Sequence, residues 1–108
     1  MFDLKKILEQ ANKIKAKSEQ LKQTLSTIEI EGKAGGDFII IKGLASGNIT
    51  SVTISDELWN LKDKEMMQAM ILGAVNNFLA TQKEKIEELS REQMGDLDIP
   101  DIFNSFIK

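Results

Sequence analysis

Residues 28–42 read Ile28-Glu29-Ile30-Glu31-Gly32-Lys33-Ala34-Gly35-Gly36-Asp37-Phe38-Ile39-Ile40-Ile41-Lys42. Ile28 and Ile30 alternate with Glu29 and Glu31, the period of a strand with one wet face. The run from Gly32 to Asp37 reads as a turn, because glycine permits positive φ. Phe38 to Lys42 then forms a second strand that is apolar on both faces. One face is expected to meet a helix and the other a partner subunit. Gly43 to Asn48 makes the next connection, and Ile49 to Ser55 a third strand, with Val52 and Ile54 pointing one way. Three short strands in sequence make an antiparallel meander, which needs helices on its apolar face to be stable.

On the N-terminal side, apolar residues recur at Leu4, Ile7, Ala11, Ile14, Leu21 and Leu25, with Ser18 interrupting the row. Steps of three and four mark a helix seam. Asp3 is placed to cap this helix, and no Gly or Pro interrupts it before Leu25. The stripe is thin, which suits packing against one or two other helices.

On the C-terminal side, Asp56-Glu57 ends the sheet and Leu58-Trp59 packs at its margin. Ser55 or Asp56 caps a short turn, and a second long helix opens near Asp63. Its apolar arc is wide from Met66 to Leu79 and narrows beyond Thr81 to Ile86 and Leu89. The first half is therefore expected on the sheet and the second half projecting from the body. Gly95 stops the helix. The expected organisation is a helix–sheet–helix dimerising domain over residues 1–95 and a short tail over 96–108, where Ile102, Phe103, Phe106 and Ile107 cluster. The fold class is α+β.

Charge is unevenly placed. The chain has 108 residues and a net charge of −3. Residues 3–22 nevertheless hold six lysines against three acids, whereas Asp63 to Asp101 holds nine acids against four bases. Phosphate binding depends on the local field, so a basic first helix keeps nucleic acid in play, with modest and strongly salt-dependent affinity.

Other chemistries lack their residues. With no histidine and no cysteine, the commonest neutral-pH base, the thiolate nucleophile and the usual zinc ligands are missing. Gly32-Lys33-Ala34-Gly35-Gly36 lacks Walker spacing and precedes no helix. Asp56 and Glu57 read as a surface turn. Met66, Met67 and Met70 read as core filling. No enzyme, metal site or cofactor is expected. The opening residues lack the apolar region of a signal peptide and the apolar runs are far too short to span a bilayer, so a cytoplasmic protein is the expectation.

The arrangement resembles the YbaB/EbfC family of bacterial nucleoid-associated proteins across nearly the whole chain. The resemblance lies in the Lys- and Gln-rich opening helix, Gly32 to Ile41, Gly43, Val52 to Leu58, Asp63 to Met66, Ala74 to Phe78, Gln82 to Lys85, and Met94-Gly95. The chain departs from the family in its longer, more apolar Leu44–Ile49 connection, in Trp59, and in the acidic Asp96, Asp98 and Asp101.

The resemblance implies a homodimer whose sheets meet at the centre while long helices project like tweezers. It implies double-stranded DNA as the ligand and a role in nucleoid organisation or gene regulation. The residues converge on the same reading, since lysines without aromatic or arginine-fork partners favour backbone contact over base reading. Lys5, Lys6, Lys13, Lys15, Lys17 and Lys22, together with Lys83, Lys85 and Arg91, are the expected phosphate contacts. Ile28, Ile30, Phe38, Ile39, Ile40 and Ile41 are the expected dimer contacts. The rival reading is a dimeric scaffold that holds a protein partner through its projecting helices.

Overall fold

The computed structural model describes residues 3–94. Helix α1 (Leu4–Leu25) leads into strands β1 (Glu29–Ala34), β2 (Ile39–Leu44) and β3 (Ile49–Ile54), followed by α2 (Asp56–Leu61) and α3 (Lys64–Met94). The strands form one antiparallel sheet in the order β1-β2-β3. Gly95 and the tail, residues 96–108, lie outside the described residues. The body is elongated, 70 Å long against 22 and 16 Å across.

Each helix start has a local cause. The Asp3 carboxylate accepts hydrogen bonds from the N–H groups of Lys5 (3.1 Å) and Lys6 (3.4 Å), satisfying two of the orphan donors of α1. The Ser55 hydroxyl accepts from Leu58 N–H at 3.1 Å, and the Asp63 carboxylate accepts from Met66 N–H at 3.0 Å. The expected turn after Ser55 is thus a short helix. It ends where Lys62 takes a left-handed conformation at φ 53°, turning the chain into α3.

Helix α3 packs across β1 and β2, and α1 packs against α3. Leu21, Leu25, Ile30, Ile39, Ile41, Ala45, Leu58, Ala74 and Phe78 form the buried core. The alternation of β1 and β2 is explained by this cover. Gly32, Ile39 and Ile41 are buried beneath α3, while Glu31, Lys33 and Lys42 stay exposed.

Gly32 is not in a turn. It sits within β1, paired with Ile41, at the point where α3 comes closest to the sheet. A Cβ there would overlap Ala74 O and Phe78 N, both backbone atoms of α3. The turn proper begins at Gly35, whose φ is 61°. At the sheet's outer margin, Asn77 Oδ1 of α3 accepts from Lys33 N–H of β1 at 2.9 Å.

The second half of α3 does not project alone. Ile86 and Leu89 are half-buried against the core that Leu21 and Leu25 complete, so the end of α1 and the later turns of α3 make one paired rod. Only those last turns of α1 are enclosed. Ile14 is half-buried, and Leu4, Ile7 and Leu8 are exposed.

Candidate nucleic-acid interface

The basic residues of α1 are organised by helical geometry. At about 100° per residue, positions seven and four apart fall on nearly the same side. Lys6, Lys13 and Lys17 therefore make one row beside the apolar seam. Lys15 and Lys22 make a second row on its other flank, and Lys5 faces away from both. Lys6 and Lys13 line one shallow groove with Glu9 and Gln10.

Lys5, Lys6, Lys13, Lys15 and Lys22 are exposed, whereas Lys17 is half-buried. On α3, Lys83 and Arg91 are exposed. Lys85 is half-buried, with its ammonium 3.3 Å from Glu88 Oε2 one turn along the helix. The two helices of the rod thus differ in sign. Helix α1 carries the lysine rows, while the later turns of α3 carry Glu84, Glu87, Glu88 and Glu92 beside Lys83, Lys85 and Arg91. The positive side of the rod is thus the α1 side.

The sheet lysines are differently placed. Lys33 lies 3.8 Å from Glu31 and 3.4 Å from Asp37, and Lys42 lies 3.7 Å from Glu31. These carboxylates offset the charge of both lysines on the open face.

The six sheet residues expected at a partner surface divide into two sets. Ile30, Ile39 and Ile41 are buried inside the single chain under α3, while Ile28, Phe38 and Ile40 are half-buried. Sequence reasoning gave no role to the free edge of β3, where Val52 is 53% exposed and Ile49 is exposed as well. The signal available there was a strand of β-branched and small residues, Ile49-Thr50-Ser51-Val52-Thr53-Ile54, without a charge.

Among the described residues no cluster of His, Cys, Asp or Glu could hold a metal ion. No helix among them is long and apolar enough to cross a membrane.

A lysine-faced helical rod on a three-stranded meander offers an extended positive surface. The chain belongs to the YbaB/EbfC DNA-binding family, whose model matches residues 1–97. It is 31% identical over 107 residues to a nucleoid-associated protein of Desulfotalea psychrophila, covering 95% of this chain and 97% of that one. It is also 31% identical over 100 residues to a nucleoid-associated protein of Beijerinckia indica, covering 93% of this chain and 99% of the relative. Among solved structures, an uncharacterized protein from Helicobacter pylori shares the fold at a TM-score of 0.73 and 22% identity. That match covers 87% of this chain and 99% of the other.

Proposed function

We propose that two copies of this chain join through their sheets and bind double-stranded DNA by its phosphate backbone, contributing to nucleoid organisation in the bacterial cytoplasm. The observation that carries this reading is the pair of lysine rows on α1, a helix whose last turns are anchored in the core by Leu21 and Leu25. Family membership supports it, as do relatives named as nucleoid-associated proteins. The contacts are Lys5, Lys6, Lys13, Lys15, Lys17 and Lys22, with Lys83 and Arg91 completing the rod and Lys85 at its acidic flank. Flexible ammonium groups touch phosphates without reading bases, so binding is weakly selective for sequence.

Gel shifts of the purified protein on unrelated duplexes, repeated across salt concentrations, test the reading. The expected result is similar affinity for each duplex, with log K falling linearly against log salt at a slope of about −0.9 per neutralised phosphate. Affinity that ignores salt overturns it.

Exposed Leu4, Ile7 and Leu8 near the start of α1 favour a second reading, a dimeric scaffold that holds a protein through its rods. It gains ground if no duplex shifts at low salt and a defined partner stays bound after nuclease treatment.

A further inference from the structure

We propose that residues 96–108 lie along the uncovered first turns of α1 in the same chain, with Ile102, Phe103, Phe106 and Ile107 against its apolar side. The face in question begins where cover on α1 ends. Ile14 is half-buried, and every residue from 4 to 13 is exposed, Leu4 at 59% and Leu8 at 55%. Leu4, Ile7, Leu8 and Ala11 nonetheless recur at helical steps of three and four, which holds them within an arc of about 100°. The uncovered stretch is about 15 Å long. A contiguous apolar strip of this kind marks a surface that meets something.

Helix α3 delivers the occupant to that strip. It starts over the sheet and runs away from it, whereas α1 runs toward the sheet and is buried at Leu21 and Leu25, so the two helices of the rod are antiparallel. Burial on α3 continues to Ser90, one turn short of its end at Met94. The chain therefore leaves α3 close to where cover on α1 runs out, heading in the direction of Leu4, with residues 95–108 to follow. From Met94 to Phe103 it spans about 14 Å at the rise of a helix and about 30 Å when extended. Either length covers the strip. Exposed Trp59 and Leu61 lie at the opposite end of α3, about 45 Å from Met94 and out of reach of Phe103.

The chemistry of the two segments matches in order as well as in kind. Ile102, Phe103, Phe106 and Ile107 are spaced like the apolar side of two helical turns, and Asp96, Asp98 and Asp101 precede them. The α1 strip is flanked by Lys5, Lys6, Lys13 and Lys15, with Glu9 as the acid between Leu4 and Lys15. Leaving α3, the chain brings its aspartates first, level with Lys13 and Lys15, and its phenylalanines later, level with Leu4 and Leu8. Apolar groups thus meet apolar groups and carboxylates meet ammonium groups. Resting on the phosphate reading of the lysine rows, a second consequence follows: the aspartates compete with DNA for Lys13 and Lys15, so the docked segment lowers affinity.

Amide hydrogen exchange of the full chain tests the docking without reference to DNA. Phe103→Ser combined with Phe106→Ser leaves the core residues in place, and is expected to speed exchange at residues 8–13 about tenfold or more while residues 74–86 keep their protection. Equal exchange in the two proteins overturns the docking. Because the chain has no cysteine, Leu8→Cys with Ser105→Cys provides one pair of thiols. Oxidation is expected to link that pair within single chains about tenfold faster than Glu9→Cys with Ser105→Cys, whose first thiol lies about 100° further round α1. Equal rates overturn the docking, and products only at twice the chain mass assign the strip to a second copy and overturn it too. The Phe103 and Phe106 variant is also expected to bind duplexes about threefold more tightly at low salt. Faster exchange with unchanged affinity keeps the docking and overturns its competition with phosphate. A wild type that shifts no duplex overturns the reading of the lysine rows, while the exchange result still decides the docking.

Discussion

Asn77 Oδ1 on α3 accepts the backbone N–H of Lys33 on β1 at 2.9 Å, joining residues 44 positions apart. The bond does two things, holding α3 in register with the sheet and occupying a donor that would otherwise be offered to another strand. Asn77→Ala is expected to lower stability by about 1 kcal/mol, the usual net worth of one such bond. A urea melt measures it, and an unchanged midpoint would remove this role from Asn77.

Gly32 and Gly73 should respond to alanine in opposite ways. A methyl at Gly32 meets backbone atoms of Ala74 and Phe78 that cannot give way independently of α3. Gly32→Ala is expected to cost about 3 kcal/mol or more, the upper end for overpacking. Gly73 lies within α3, and a methyl there would meet Ala34 Cβ at an ordinary 3.6 Å. Gly73→Ala is expected to stabilise by about 0.5–1 kcal/mol through helix propensity. Paired thermal melts check the sign of each.

Ser90 is buried, and its hydroxyl has no hydrogen-bond partner among the described residues. Ser90→Ala removes an unsatisfied polar atom from the packed rod, and is expected to stabilise by about 1 kcal/mol. A lower melting temperature would show instead that the hydroxyl is bonded.

Lysines in the α1 rows and lysines on the sheet should separate in DNA binding. Replacing Lys6 and Lys13 together with alanine is expected to reduce the salt slope by about 2 and weaken binding on every duplex alike. Replacing Lys33 and Lys42 together should leave the slope close to wild type, because Glu31 and Asp37 already offset both charges. Equal effects from the two pairs would count against α1 as the phosphate-bearing element.

The element order was legible in the sequence because local signals agreed with one another. Asp3 before the apolar steps of α1, alternation from Ile28, and the wide arc from Met66 to Leu79 all have local causes. Gly32 was misplaced because a glycine needed for close approach looks in sequence like one needed for a turn. The packing of Ile86 and Leu89 was missed because the core they pack against is assembled from elements far away along the chain. The six residues of α2 are too few to show a period. The lysine rows were half legible: spacing places them around the helix, but only tertiary structure shows that Lys33 and Lys42 sit among carboxylates.

One uninterrupted helix both clamps the sheet and extends into the rod, with no glycine or proline between Ala74 and Met94. From Phe78 to Met94 it reaches about 24 Å beyond its anchor. Tilting that anchor by about 5° would swing the far end by roughly 2 Å. In the dimer proposed above, calibration of the gap between the arms therefore lies in the contact of α3 with Gly32, where two backbones touch, and a methyl group added there would act on the gauge as well as on stability.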